Sequence, residues 1–566
     1  MREPPRPAPE RVHPIVTPIK SVKPINVGDW RNQRPVFSSG VAPCVSGCPA
    51  GEQVREYIAL ALQGKLAEAW YKIKEDNPIP AVMGRVCYHP CETVCNRVEL
   101  DQAVAIHCLE RGIGDYGLKQ GLKIKAGAAK EEKVAVIGSG PAGLSAAYHL
   151  ARKGYGVSVY DAGAKPGGML RYGIPAYRLP KDVLEAEVEG VAALGVEFVC
   201  GARIGENVPW DKLRHYSGVV VSAGCSVGRK LAIAGSDQTG ILDGLSFLNA
   251  VDSEGVAQSC RGANVLVIGG GNVAIDVGRV AKRLGASKVT LAFLESLEAM
   301  PAHAQERDEA RAEGVVFAPS RHFLEFQNRN GRLSGVRCER INSFELDRQS
   351  NLVVDAVPGS EHILEADTIV VAIGQRAELG FLPPQVQKVW SAVASGEAAL
   401  SDRQWIVAAG DIVDGPSSVA KAIGGGKRAA AQLEALLQGR SASTDKERAT
   451  PVGIESLNKA YFSRIEREAP PSAAPGARIS GFDEVVGELS AEAFLAEAQR
   501  CFHCGDCNVC GNCWVFCPEA AIQKAQDSER ADGLERFQVD YQTCKGCGIC
   551  KRECPRGAIV MQEEFQ

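Results

Sequence analysis

Two glycine fingerprints at the centre of the chain and two matching cysteine runs near its C-terminus predict a multidomain protein. The fingerprints read as two Rossmann-like α/β nucleotide-binding domains, one inserted in the other. The cysteine runs read as a small α+β domain of the bacterial two-cluster ferredoxin type. A third observation sets the remainder apart. Of the 20 cysteines, all but Cys108, Cys200, Cys225, Cys260 and Cys338 fall in the stretches 44–95 and 501–554.

A chain of 566 residues has room for three or four domains with substantial cores. Its 45% hydrophobic and 23% charged content is ordinary for a globular protein. A formal net charge of −4 without a dense Lys/Arg run excludes a general nucleic-acid binder. No apolar run reaches the roughly 18–20 residues of a membrane span. The opening MREPPRPAPERVHPIVTPIKSVKPI is Pro-rich without an apolar signal core. Residues 1–40 are therefore expected to form an extended arm and the protein to be cytoplasmic. In that compartment the terminal cysteines point to metal rather than disulfides. The five central cysteines read as small buried apolar residues.

In KVAVIGSGPAGLSAAYHLARKGYGVSVYDA a buried-strand run, Val134–Ile137, precedes Gly138, Gly140 and Gly143. A helix pattern follows, then a second strand ending at Asp161. Gly138 permits the tight turn, Gly140 lets backbone approach a diphosphate, and Gly143 lets helix pack on strand. The diphosphate would rest on the helix N-terminus, and Asp161 would accept from a ribose hydroxyl. The unit recurs in ANVLVIGGGNVAIDVGRVAKRLGASKVTLAFLES, with Gly269, Gly271, Asn272 and Ala274 opening the helix. Two units need two dinucleotides, and a flavin with a nicotinamide is the economical pair.

Near the C-terminus, Cys507, Cys510, Cys513 and Cys517-Pro518 have the spacing C-x2-C-x2-C-x3-C-P, repeated by Cys544, Cys547, Cys550 and Cys554-Pro555. In such pairs the fourth cysteine of each run serves the other cluster. One [4Fe–4S] cluster is thus expected on Cys507, Cys510, Cys513 and Cys554, and another on Cys544, Cys547, Cys550 and Cys517. Cys501 and Cys504 are left over.

Beyond these motifs, AKPGGMLRYGIPAYRLPKDVL, VVAIGQRAE and WIVAAGDIVDGPSSVAKAIGGGKRAA resemble the flavoprotein module of the glutamate synthase small subunit. The same module is found in the first half of dihydropyrimidine dehydrogenase and in bifurcating NADH-dependent ferredoxin:NADP oxidoreductases. The resemblance implies a glutathione reductase-like arrangement, with FAD on the first unit and NAD(P)H on the second. It adds Gly168, Gly410 and Asp411 to the FAD site. It also implies a helical iron–sulfur domain at APCVSGCP and GRVCYHPCETVCNR, with Cys48, Cys87, Cys91 and Glu110 on one cluster. Cys44 and Cys95 match half of another. The family's missing R-C-x-x-C pair stands instead at Arg500–Cys504, behind the lead-in ISGFDEVVGELSAEAFLAEAQ. Relocation of that segment would set Cys501 and Cys504 beside Cys44 and Cys95, making four clusters. The alternative is three clusters, with Cys501 and Cys504 spare. His89 could ligate or merely hydrogen-bond near a cluster, and Cys108 is a less favoured substitute for Glu110.

Family members that use NADPH carry a YRRS-like stretch after the second unit's second strand; here it is FLES, Phe293–Ser296. Glu295 would bind ribose hydroxyls and repel a 2′-phosphate, so NADH is expected over NADPH. The alternative has Arg283 reading the phosphate. Residues Tyr172–Lys181 are expected to line the flavin, with Lys181 either among them or an exposed charge.

The domain boundaries that follow are 1–40 (arm), 41–127 (helical iron–sulfur domain), 131–240 and 361–438 (FAD domain) and 241–360 (NAD domain). A returning linker spans 439–500 and the ferredoxin domain 501–566. The chemistry is flavin-mediated hydride transfer, with no catalytic acid, base or nucleophile required. The expected function is an NAD(P)H oxidoreductase that exchanges electrons with a redox partner subunit or ferredoxin. The layout is similar to NAD-linked subunits of 2-oxoacid:ferredoxin oxidoreductases and to sulfite reductase-associated NAD(P)H oxidoreductases. The alternatives are a glutamate synthase small subunit-like electron donor and a non-catalytic iron–sulfur assembly or sensor protein.

Overall fold

The computed structural model describes residues 26–347, 351–395, 398–401, 404–440, 450–524 and 537–564. The first glycine unit builds a six-stranded sheet. Its order is Ala398–Ser401, Gln404–Ala408, Gly218–Val221, Lys133–Ile137, Gly156–Tyr160, Glu197–Val199. All neighbours are parallel except the first pair. Gly218–Val221 is buried at every residue, as a central parallel strand covered on both faces must be. The helices Pro141–Arg152 and Val419–Leu437 pack together on this sheet, around a shared core that includes Ala146, Leu150 and Leu433.

The chain leaves this sheet after Val221 and re-enters it at Ala398, and most of the excursion forms the second nucleotide domain. Its parallel sheet runs Val316–Ala318, Lys288–Ala292, Asn264–Ile268, Thr368–Val371, Ile241–Asp243. The expected boundary at 361 is corrected here. His362–Glu365 pairs with Arg332–Leu346, and Thr368–Val371 lies between two strands of the second sheet. A fully buried run such as TIVV looks the same in either sheet, so only strand pairing decides where it belongs.

The cysteine-rich N-terminal domain is helical. Val54–Leu62, Leu66–Ile73, Pro80–Val86 and Ile106–Lys119 enclose Tyr57, Trp70, Ile73 and Leu109. Among the described residues no helix is long and apolar enough to cross a membrane.

Part of the expected arm is not an arm. Gln33–Phe37 forms an antiparallel strand with Ile559–Glu563, in register from Gln33 opposite Glu563 to Phe37 opposite Ile559. Arg31 is paired with Glu564, and Tyr541 donates to the Pro35 carbonyl at 2.9 Å. Unpaired strand edges are seldom left bare, and here the two ends of the chain cover each other. Residues 1–25 lie outside the described region.

The returning tail has its own anchors. Val452 donates to the Val41 carbonyl at 2.9 Å, and Arg97 to that of Ser463 at 2.8 Å. Phe482, Val485 and Val486 enter the core of the second nucleotide domain, where Val485 N–H donates to the Tyr177 carbonyl at 3.0 Å. Ser490 caps the helix Ala491–Gln499, whose Ala498 packs in the N-terminal core. At its end Arg500 is fully buried and bound to Glu497 (2.6 Å), Asp101 (2.9 Å) and the carbonyls of Gln102, Ala103 and Ile465. Removing a buried guanidinium strands its acids. Arg500→Ala is expected to cost about 3–5 kcal/mol, read as a lowered denaturation midpoint.

Candidate functional site

The first fingerprint has the shape its glycines require. Gly138 sits at φ 97°, and a Cβ there would lie 2.5 Å from the Ser222 carbonyl oxygen. A Cβ on Gly143 would lie 1.8 Å from the Gly138 oxygen, whereas at Gly140 the nearest atom, Gly168 Cα, is 4.0 Å away. Tight turn, close packing and open approach therefore fall on the three expected positions. Gly140 caps the helix Pro141–Arg152, so unpaired N–H groups face the opening. Asp161 does more than await a ribose. Its Oδ2 accepts from Ser139 N at 2.6 Å, and its Oδ1 accepts from Gly163 N at 2.7 Å, which fixes the loop itself.

Two further turns close on this loop. Gly168 (φ 52°) places its backbone so close that a Cβ would be 2.7 Å from Gly140 Cα. A Cβ on Gly410 (φ 78°) would be 2.7 Å from Ala142 Cβ. Asp411 accepts from Ser417 Oγ at 2.8 Å, and burial pushes its carboxyl up. The cradle fits a dinucleotide diphosphate.

The sequence reading missed Gly424, Gly425 and Gly426. They lie inside the helix Val419–Leu437, where each glycine costs roughly 1 kcal/mol relative to alanine. A Cβ on Gly426 would meet the Ala142 oxygen at 2.1 Å, and one on Gly424 would meet the Pro49 oxygen at 2.0 Å. The run GGGK within a helical pattern was the available signal. It brings the flavin-domain helix against the residue after Cys48. Gly426→Ala is expected to empty the purified protein of flavin absorbance. Gly190→Ala, at an exposed helical site with nothing within 4 Å of its Cβ, should leave flavin absorbance unchanged.

In the second fingerprint a Cβ on Gly269 would lie 2.3 Å from the Ala372 oxygen, and Gly271 caps the helix Asn272–Arg283 with open space before it. Ala274 is buried against the sheet. Asn272 Oδ1 accepts from His303 N at 2.8 Å, fastening the following loop. Glu295 Oε2 lies 3.3 Å from where a Gly270 Cβ would stand, over the glycine turn. Arg283 is committed elsewhere. Its side chain is fully buried and paired with Glu313 at 2.6 Å, and its guanidinium lies 3.8 Å from the Tyr177 ring centroid.

The stretch Tyr172–Lys181 also reaches the second nucleotide domain. Tyr177 and Arg178 bind Asp276 of the second domain at 3.1 and 2.6 Å, and Lys181 Nζ donates to the Leu170 and Ile174 carbonyls at 3.0 and 2.5 Å. Burial pushes Lys181 down to about 8, so it is no free surface charge. The segment is a bridge between the two nucleotide domains.

The cysteines gather in four groups. Cys48, Cys87 and Cys91 face one another and Glu110, whose carboxyl accepts from Asn77 at 2.8 Å. Glu52, which sequence reasoning missed, shares Asn77 at 3.0 Å and is pushed up to about 8 by burial and by Asp76. Cys44, Cys95, Cys501 and Cys504 line a single cavity walled by Val54, Ile58 and Val104. Cys507, Cys510, Cys513 and Cys554 line another, and Cys517, Cys544, Cys547 and Cys550 a third. Burial pushes Cys48 and Cys501 up to about 12, and burial, with the neighbouring thiols of Cys501, Cys95 and Cys504, holds Cys44 well above the usual thiol range. Such thiols cannot ionise together without a positive centre among them, and an iron–sulfur core fits that demand. Backbone N–H groups of His89, His503, Ala521 and Ala558 reach the sulfurs of Cys87, Cys501, Cys517 and Cys554 at 3.3–3.4 Å. The His89 ring lies on the His107 ring, and Cys108 faces His107, so neither joins a thiol group. Cys225, Cys260 and Cys338 are buried away from these groups, and Cys200 is partly exposed.

The sequence pattern of the pyridine nucleotide-disulphide oxidoreductases matches residues 132–426, over half of the chain. The chain belongs to that family. Residues 34–122 match the dihydropyrimidine dehydrogenase domain II, 4Fe-4S cluster family, and 537–560 a 4Fe-4S binding domain. The chain is 35% identical to the NADP(+)-dependent formate dehydrogenase subunit beta of Moorella thermoacetica, over 82% of itself and 70% of that protein. It is 32% identical to the NADPH-Fe(3+) oxidoreductase subunit beta of Geobacter sulfurreducens, over 82% and 75%. It is also 32% identical to the glutamate synthase [NADPH] small chain of Escherichia coli, over 74% and 96%. The protein is an FAD-dependent NAD(P)H oxidoreductase of the iron–sulfur flavoprotein type, which removes the non-catalytic alternative. All three relatives are named for NADP(+) or NADPH, against the expected NADH preference.

Proposed function

We propose that the chain is an NADH-favouring electron-transfer subunit that joins a nicotinamide site, FAD and four [4Fe–4S] clusters in one line ending at a partner protein. The observation that carries this is the meeting of Cys44 and Cys95 with Cys501 and Cys504, from opposite ends of the chain, around one cavity. Neighbouring groups are tied by short chain. Cys44–Cys48 and Cys91–Cys95 join the first two, Cys504–Cys507 the next, and Cys513–Cys517 and Cys550–Cys554 the last. Four extended residues reach at most about 14 Å, so adjacent groups must lie close.

Bound FAD supplies the conversion between a two-electron hydride and single electrons. This chain's residues bind and orient. The loop from Gly138 to Gly143 holds a diphosphate against the helix N-terminus, with Asp161 fixing the loop. Gly424 lets the flavin-domain helix touch Pro49, giving the flavin site and the Cys48 group a common wall. N–H donation to the cysteine sulfurs favours the more negative state of each cluster. No side chain is required to move a proton.

Glu295 over the glycine turn supports NADH, since the ribose side of a nicotinamide would meet a carboxylate there and Arg283 is buried in an ion pair. The relatives named as subunits support a separate partner, such as a ferredoxin or a 2-oxoacid:ferredoxin oxidoreductase subunit. A second reading, a donor to a glutamate-forming subunit, is favoured by the 96% coverage of the Escherichia coli small chain. The two cysteine cavities beyond residue 505 count against it. Iron analysis of anaerobically reconstituted protein tests the arrangement. About 16 iron atoms per chain are expected, and about 12 would remove the joint site of the two termini.

A further inference from the structure

The strand Gln33–Phe37 and the turn before it hold more than a sheet edge. They also grip the loop 541–546, which carries Cys544 of the last cysteine group. Gly28 N–H donates to the Gln542 carbonyl at 2.8 Å, and Gln33 Nε2 donates to the Gly546 carbonyl at 3.3 Å. The approach is close, since a Cβ on Gly546 would lie 2.2 Å from the Gln33 oxygen. Between these anchors Arg31 spreads its guanidinium. Nη1 donates to the Tyr541 carbonyl and, at 3.4 Å, to that of Cys544, while Nε and Nη2 bind Glu564.

The cationic fork therefore has one edge on the cysteine loop and its counter-ion on the other. The Arg31 side chain is 16% exposed, so salt screens its charge less than that of a surface cation. Neighbouring cations are paired as well. Lys545 meets Glu519 at 2.7 Å, and Arg34 shares Glu564 at 3.6 Å. Reduction adds one negative charge to an iron–sulfur core, whose potential follows net charge, hydrogen bonding and solvent exposure. A fixed cation against the ligand loop stabilises the reduced form.

We propose that Arg31 is a positioning residue for electron transfer, which raises the reduction potential of the cluster at Cys517, Cys544, Cys547 and Cys550. The far end of the chain thus supplies the charge that makes this group the electron-accepting end of the line. The inference rests on the proposed function only in requiring a [4Fe–4S] core on these four cysteines. Each electron gained here is lost by the neighbouring cluster at Cys507, Cys510, Cys513 and Cys554. No bond breaks and no proton moves. A unit charge about 10 Å from a redox centre shifts a one-electron equilibrium by about tenfold at an effective permittivity near 20.

Redox titration of anaerobically reconstituted holoprotein, followed by electron paramagnetic resonance, tests this. Cys547→Ala identifies the midpoint of the group by altering or removing it. Arg31→Gln is expected to lower that midpoint by about tenfold in the one-electron equilibrium, which is about 59 mV, and to leave the others in place. Arg31→Lys keeps the charge and should stay within about threefold of the unaltered protein. Glu564→Gln removes the counter-ion and should raise the same midpoint. A clasp that only ordered the loop would shift Arg31→Gln and Glu564→Gln in one direction, or shift neither. Either pattern overturns the proposal, as does a lysine variant displaced as far as the glutamine one. Should Arg31→Gln lose its iron, Glu564→Gln decides: a raised midpoint supports the proposal and an unmoved one overturns it. If Cys547→Ala alters no midpoint and loses no iron, the group holds no cluster, and the proposal falls together with the reading beneath it. Full iron with unmoved midpoints overturns the proposal alone.

Discussion

With Cys501 and Cys504 both replaced by serine, about four iron atoms per chain are expected to disappear while the other clusters remain, since each [4Fe–4S] core needs its own ligand set. The functional effect should be larger than the loss of one cluster in four suggests. The pair stands between the Cys48 group, beside the flavin-domain helix, and the Cys507 group, three residues downstream of Cys504. NADH reduction of a small dye should persist, because it needs only the nucleotide domains. NADH reduction of a ferredoxin-sized acceptor should fall to near zero. Arg500 remains in place to hold the helix end, so the variant separates cluster loss from misfolding. Undiminished ferredoxin reduction in a protein lacking that iron would show that electrons leave by another path.

Replacing Leu294 and Glu295 together by arginine is expected to raise kcat/KM for NADPH by about 10- to 100-fold and to lower that for NADH. Charge-assisted bonds to a phosphate contribute about 1.5–3 kcal/mol each, and the carboxylate's repulsion is removed in the same change. Stability should change little, because Glu295 follows the strand Lys288–Ala292 on the open side of the glycine turn and takes no part in the buried Arg283–Glu313 pair. Steady-state kinetics with both coenzymes decides it. A wild-type protein that already prefers NADPH would sink the role given to Glu295 and would agree with the names of the relatives.

Much of the site was legible because its signals are local. Gly138, Gly140 and Gly143 are spaced by the geometry of one turn, and the ferredoxin-type spacing places its cysteines by chain length alone. The three glycines at 424–426 were equally visible, yet what they approach lies in other domains, Pro49 and Ala142. Glu52 was missed for the same reason. Its importance comes from Asn77, well separated in sequence and adjacent in space.

By itself the sequence pointed, through short-range periodicity and spacing, to two dinucleotide-binding units followed by paired ferredoxin-type cysteine runs, while the helical iron–sulfur domain and the order of FAD and NAD(P)H came from the family resemblance. Only the tertiary structure decided which sheet takes Thr368–Val371, that Gln33–Phe37 is a strand of the C-terminal domain, and that Arg283 is buried rather than free. Pairing and burial depend on partners hundreds of residues away, and a linear pattern carries no record of which distant surface a segment will meet.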